Sequence, residues 1–269
     1  MDSVYALRRE ICEVGRRIYE RGYVAANDGN ISVRMSDDRV LCTPTGVSKG
    51  FLTEDMLGIC DMDGNQVAGS MRISSEVRMH LEIYKMRAEI HAVVHAHPPT
   101  ATGFAVAGLE LTQCVLPEVI LALGGVPLAS YARPGGVEIV EPMRPLISHY
   151  DAILLANHGV VTLGKHVMDA HFKMETVEHF AKIALVAHQL GRLGTLGQAQ
   201  VEELVSMRGK YGITDRPSCD LHAVLPQAGS DGRTNPSTQA ESPAPAPAPT
   251  VHSDLIARVT QEVLRQLRK

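Results

Sequence analysis

The chain has 269 residues, 45% of them hydrophobic, which is enough to bury one sizeable core and to build one or two domains. A net charge of -4, no tryptophan and only 4% aromatic residues exclude the basic, aromatic-studded surface with which proteins hold nucleic acids. They also give no electrostatic case for an anionic membrane. The charged N-terminus MDSVYALRREICEVGRR is no signal peptide, and no run of about 18 apolar residues marks a membrane span. The five cysteines (Cys12, Cys42, Cys60, Cys114, Cys219) are odd in number, far apart and never in a CxxC pair. That pattern fits a reducing cytosol better than a disulfide framework.

Residues 3–21 open the chain as a predicted helix, with Val4, Leu7, Ile11, Val14 and Ile18 at helical spacing. Short strands follow at 31–34, 39–43 and 58–62, separated by turns at Asp37-Asp38 and Asp63-Gly64. A helix is expected at 75–88, where Val77, Leu81 and Tyr84 share one face, and a strand at 91–96. Residues 115–123 read as helix, 152–156 (AILLA) as a buried strand, 166–190 as the longest helix and 196–208 as a further one. The pattern is mixed α/β, without internal repeats.

The composition changes sharply near residue 212. Residues 1–212 are therefore read as the folded domain, and 213–250 as a Pro/Ala/Ser-rich linker whose PAPAPAP end is a stiff, extended spacer. Residues 251–269 form an amphipathic helix. Val251, Leu255, Ile256, Val259, Val263 and Leu267 fall on one stripe, opposite Asp254, Arg258, Gln261, Arg265 and Arg268.

The first chemical signal is His95-Ala96-His97 at the end of a strand. Side chains alternate along a strand, so His95 and His97 point the same way and can share one metal ion. The second is Asn157-His158-Gly159, directly after AILLA. Three imidazoles with an open fourth position are the usual holding of a catalytic zinc. The bland alternative, ordinary buried or surface histidines, is the better reading for the remaining nine.

Three small-residue loops punctuate the N-terminal half: Asp28-Gly29-Asn30, Thr43-Pro44-Thr45-Gly46 and Ser74-Ser75-Glu76. Together they can cradle a phosphate dianion without much cationic help, with Ser74 and Ser75 at a helix start. Taken singly, each is also a common turn or cap. Glu76 at the first helical turn is a general acid/base if it faces the metal, and a helix-dipole partner if it does not.

The segments GNIS (29–32), TPTG (43–46), SSEVRMH (74–80), AVVHAHPP (92–99), LALGGVPL (121–128), YARPG (131–135), LLANHGVV (154–161) and DAHFKMETVEHFAK (169–182) resemble the class II aldolase/adducin family in content and order. Within it they are most similar to the fuculose-phosphate aldolases. The resemblance covers roughly residues 3–210. It implies an α/β/α three-layer sandwich around a largely antiparallel central sheet, in a homotetramer with active sites between subunits. It implies one Zn2+ per subunit on His95, His97 and His158, and Glu76 as catalytic acid/base. It implies a phosphate set of Gly29, Asn30, Thr45, Gly46, Ser74 and Ser75. The activity implied is retro-aldol cleavage of a ketose 1-phosphate, L-fuculose 1-phosphate or a close analogue, to dihydroxyacetone phosphate and lactaldehyde.

One departure stands out: where the fuculose-phosphate branch carries a tyrosine supplied by a neighbouring subunit, this chain has Glu118. Glu118 is either a proton donor in its place or a structural carboxylate. The tail resembles the encapsulation peptides of bacterial microcompartment enzymes, which implies a shell or cargo partner and a place in the cytoplasm, inside a shell. Containment of volatile, reactive lactaldehyde accords with that. Three rivals remain on this scaffold. The 4-epimerases of ribulose phosphate carry Asp where this chain has Glu76. The second rival is a decarboxylase of a phosphorylated keto acid. The third is a non-catalytic adducin-like head, against which the metal histidines argue.

Overall fold

A computed structural model describes residues 4–213, 216–223 and 225. They contain seven α-helices: α1 (Val4–Glu20), α2 (Val77–Met86), α3 (Pro99–Val106), α4 (Pro117–Ala122), α5 (Arg144–Ile147), α6 (Val167–Gln189) and α7 (Gln198–Met207). The eight strands are β1 (Asn30–Ser36), β2 (Arg39–Cys42), β3 (Gly58–Cys60), β4 (Gln66–Ala68), β5 (Ala92–Ala96), β6 (Leu128–Ala129), β7 (Ala152–Leu155) and β8 (Gly159–Gly164). They form one sheet in the order β4-β3-β2-β1-β5-β8-β7-β6. Every neighbouring pair is antiparallel except β6 and β7. This is the expected α/β/α sandwich.

Strand alternation builds the layers. Ala92, Val94 and Ala96 of β5, with Ala152 and Leu154 of β7, face a core shared with α1, α3 and α6. Val93, Ile153, Leu155, Val161 and Leu163 face the other way, toward α2 and residues 139–147. Central strands buried on both faces read as continuous apolar runs, which is why HAVVHA and AILLA stood out in the sequence. β4 and β6 are three and two residues long and carry no period of their own. β8 (GVVTLG) follows AILLA after one turn and is absent from the predicted strands.

The predicted elements lacked α3, whose sequence PTATGFAV has no apolar stripe. It forms because Pro99 suits the first turn and the free N–H groups of Thr100 and Ala101 donate to the buried Glu178 carboxylate of α6, at 3.1 and 2.8 Å. The cap comes from far along the chain, so no local pattern announces it.

Two sequence expectations are corrected. Cys114 and Cys219 form a disulfide, leaving Cys12, Cys42 and Cys60 free. A backbone bridge between Gln113 and Asp220 brings the two cysteines together across 105 residues. The linker expected from residue 213 also starts too early: residues 216–223 are part of the folded body. Arg216 pairs with the buried Asp151 at 2.7 Å, beside Arg87 and Lys173, and Asp220 donates its N–H to the Thr112 carbonyl at 2.8 Å. The remainder of the predicted linker and the predicted helix 251–269 lie outside the described residues. Among the described residues no helix is long and apolar enough to cross a membrane.

Candidate active site

The sheet register sets the metal cluster. His95 of β5 pairs with Val161 of β8, and β7 turns into β8 through Asn157 and His158. Asn157 takes a left-handed conformation at φ 55°, which asparagine tolerates and most residues do not, and this makes the turn tight. His158 thereby comes beside the His95–His97 pair, and one ligand atom from each ring lies within 4.8 Å of the others. His97 Nε2 and His95 Nε2 are 3.2 Å apart. The turn needs Gly159: a Cβ there would sit 2.5 Å from His97 Cδ2 and 2.6 Å from the Ala96 carbonyl.

The rings are prepared for a cation. The Val160 carbonyl can only accept, so His95 Nδ1, 2.9 Å away, carries the proton and Nε2 is left with its lone pair. Asp28 Oδ2 lies 3.5 Å from His97 Nδ1 and favours the equivalent arrangement there. Burial pushes the pKa of fully buried His95 down to about 3 and lowers that of His97 as well, so both rings are neutral at neutral pH, the form in which an imidazole can bind a metal ion. His158 Nδ1 is buried without a hydrogen-bond partner. Three clustered imidazoles, two of them held neutral by burial and the third with an orphaned nitrogen, fit a divalent metal ion.

Glu76 closes one side of this cluster, with Oε1 3.4 Å from His158 Nε2 and Oε2 3.7 Å from His95 Nε2. Asn30 Nδ2 donates to Oε2 at 2.5 Å. Burial by itself raises the carboxyl pKa, but the His158 hydrogen bond, the nearby imidazoles and the Asn30 amide outweigh it and hold the pKa well below the usual carboxylate range. Glu76 is therefore ionised at rest. It occupies the position before α2, where Ser74 Oγ accepts its backbone N–H at 3.3 Å.

The small-residue loops meet the same cleft. Ser74 N–H donates to the Thr43 carbonyl at 3.1 Å and Thr45 N–H to the Arg72 carbonyl at 2.9 Å, so the second and third loops are zipped together. Gly29 reaches φ 73°, and a Cβ on it would lie 2.7 Å from the His95 carbonyl, which ties the first loop to the metal strand. The cleft they enclose measures about 290 Å³. Gly29, Asn30, Thr45, Ser74, Ser75 and Glu76 line it, together with His97 and His158; His95 lies fully buried behind them. Gly46 shapes the loop at φ 73° without lining the cleft.

Sequence reasoning missed Asn27, Lys49, Pro134 and Gly135, which also line it, as does Asp28 of the first loop. Pro134 and Gly135 belong to the YARPG segment, whose match to the family was the available signal. Lys49 gave none, because a lysine in a loop ordinarily points to water. Glu118 is exposed in the first turn of α4 and does not line the cleft of its own chain. Larger depressions of about 760, 550, 530 and 430 Å³ lie elsewhere on the surface, and none brings a metal-ligating cluster together among the described residues.

Residues 9–185 match the family described as Class II Aldolase and Adducin N-terminal domain. The chain belongs to this family. An L-fuculose phosphate aldolase of Methanococcus maripaludis is 36% identical over 181 residues, covering 67% of this chain and 97% of the relative. A 3-oxo-tetronate 4-phosphate decarboxylase of Haemophilus influenzae is 35% identical over 209 residues, covering 76% and 98%. Among solved structures, YgbL of Klebsiella pneumoniae, described as an aldolase, epimerase or decarboxylase, superposes with a TM-score of 0.70 at 30% identity, covering 76% of this chain and 100% of that one. An L-fuculose 1-phosphate aldolase superposes with a TM-score of 0.70 at 28% identity, covering 79% and 98%. The chain is thus a class II aldolase-superfamily member, and its relatives carry more than one reaction.

Proposed function

We propose that this chain is a zinc-dependent class II aldolase that cleaves a ketose 1-phosphate, L-fuculose 1-phosphate or a close analogue, to dihydroxyacetone phosphate and lactaldehyde. One observation carries the reading: the three-histidine cluster, the Glu76 carboxylate and the small-residue loops open into a single cleft. A phosphate and a carbonyl a few bonds away can be held there together.

His95, His97 and His158 would hold one Zn2+, which supplies Lewis-acid polarisation of the substrate carbonyl when bound. Thr45, Ser74 and Ser75 offer hydroxyl donors to the phosphoryl oxygens, and Asn30 orients Glu76. Glu76, ionised at rest, takes up a proton from solvent and delivers it to carbon once the C3–C4 bond has broken, while the C4 hydroxyl proton leaves to a separate base. Loss of the proton from the C4 hydroxyl is the step left without a residue in the single chain. Exposed Glu118 is our candidate for it, offered to a neighbouring subunit's cleft in a homotetramer.

The test is release of dihydroxyacetone phosphate from L-fuculose 1-phosphate, with and without chelator, beside Glu76→Gln. Metal-dependent release that collapses in the variant supports the reading; zinc-loaded protein that releases none overturns it. A second reading is favoured by the 35% identity to the decarboxylase over nearly its whole length. Loss of carbon dioxide next to a carbonyl leaves the same kind of carbanion for the same groups to manage. Carbon dioxide release from 3-oxo-tetronate 4-phosphate, without release from the sugar phosphate, would select it.

For residues 251–269 we propose an encapsulation role that places the enzyme inside a bacterial microcompartment and confines the aldehyde. Co-sedimentation of the full chain with shells, lost on truncation at residue 250, is the expected outcome. Equal co-sedimentation of both forms removes this role.

A further inference from the structure

Lys49 is buried, at 1% exposure, in the short 3-10 turn Lys49–Phe51, yet it lines the cleft. Its backbone is pinned against α1: a Cβ on Gly15 would lie 2.6 Å from the Lys49 carbonyl, so only glycine lets the helix and the turn come this close. From there the side chain runs inward, and Nζ donates to the Asn27 carbonyl at 2.9 Å and the Val47 carbonyl at 2.6 Å. Each carbonyl belongs to the backbone beside a different phosphate loop. An ammonium group has three donors, so two carbonyls leave one N–H over.

The charge is unusual in having no carboxylate within ion-pair distance among the described residues. The neighbouring acids are committed elsewhere: Asp28 lies beside His97, and Glu76 is held by Asn30 and the histidines. Burial accordingly pulls the Lys49 pKa down to about 8, against the opposing pull of Asp28 and Glu76. A buried cation with only carbonyl partners is under-compensated, and an anion entering the cleft would complete its pairing. Among the described residues no other lysine or arginine lines the cleft.

We propose that Lys49 is the buried counter-charge for the phosphoryl group of the substrate, a binding residue that selects phosphorylated over unphosphorylated ligands. This rests on the sugar-phosphate reading of the cleft. It also amends the expectation that the loops work without cationic help. Neutral hydroxyls and N–H groups set the shape, and Lys49 supplies the charge from beneath.

The test titrates inorganic phosphate by calorimetry into the full chain, Lys49→Met and Lys49→Gln, with zinc content and Tm recorded for each. The glutamine amide can still donate to the loop carbonyls but carries no charge. Phosphate Kd is expected to rise tenfold or more in both variants at unchanged zinc content. With L-fuculose 1-phosphate, kcat/KM should fall by a similar factor, and by far more than it does with unphosphorylated L-fuculose. Wild-type phosphate affinity in a folded variant overturns the proposal, and so does an equal loss on both sugars, which marks Lys49 as a mere tie between loops. Should neither variant fold, the Nζ resonance of Lys49 in 15N-lysine-labelled wild type decides: a shift on adding phosphate supports the counter-charge, and no shift overturns it. Wild type that binds phosphate but cleaves neither sugar sinks the aldolase reading and leaves Lys49 to be judged on the calorimetry.

Discussion

The Asn30 side-chain amide donates to the Glu76 carboxylate at 2.5 Å, joining the first residue of β1 to the residue that precedes α2, 46 positions later. The bond aims one carboxylate oxygen and lowers the carboxyl pKa. Asn30→Asp replaces the donor with a second carboxylate, and like charges at this distance raise the pKa of both. On the proposed acid/base role of Glu76, kcat is expected to fall by roughly 10²-fold. The acid limb of the pH–rate profile should move to higher pH. An unmoved limb with full activity would show that Asn30 does not orient Glu76.

Gly159 is in contact with the metal cluster through its missing side chain. In Gly159→Ala the new methyl would meet His97 Cδ2 and the Ala96 carbonyl, neither of which can give way without moving a ligand or the strand. Metal affinity, measured by competition with a chromogenic chelator, should weaken by about 10–100-fold, as it does when the groups supporting a ligand are disturbed. Wild-type affinity would mean that His97 is not a ligand.

His80 gives the protein an acid-sensitive point outside the three-histidine cluster. It is 1% exposed, its Nδ1 lies 2.7 Å from Ser32 Oγ, and its Nε2 has no partner. Burial pushes its pKa down to about 4, partly opposed by the charge of Glu76. The unfolded chain takes up a proton near pH 6.5 that the folded chain refuses until about pH 4. The contribution is therefore complete above pH 6.5 and is lost as pH falls through that window. About 2 kcal/mol should be lost from this group between pH 7 and pH 5. Denaturant unfolding of wild type and His80→Leu at the two pH values reads the difference. Parallel losses in the two proteins would clear His80 of the effect.

Thiol labelling checks the cysteine pairing. With Cys114 and Cys219 joined, protein denatured without reductant should take up alkylating agent at Cys12, Cys42 and Cys60 only, and at all five positions after reduction. In the cross-linked form the closed loop holds residues 216–223 to the body. Because the sequence separation is 105, the link is worth on the order of 4–5 kcal/mol by loop-closure entropy. Reduction should accordingly lower Tm without removing metal. Five reactive thiols in the untreated, denatured protein would refute the pairing.

The sequence by itself determined the fold class, most of the long elements and the identity of the metal and acid/base candidates. These features are locally encoded. Alternation placed His95 and His97 on one side at the end of β5, helical spacing marked α1 and α2, and HAVVHA and AILLA declared central strands by being apolar on both faces. The sequence could not encode locally whatever depends on sheet register or on a partner far along the chain. Register decided that His158 closes on the His95–His97 pair and that Asn30 meets Glu76. A distant carboxylate, Glu178, made a helix of PTATGFAV, and the return of residues 216–223 paired two cysteines and ended the body later than composition suggested. Lys49 is the clearest instance. Its residue type argues for solvent, and only the packing of its turn on Gly15 and the two loop carbonyls above it turn a loop lysine into a buried charge at the cleft. Burial of a charge is a property of the assembled surroundings, because desolvation is set by everything that packs around the group and not by its neighbours in sequence.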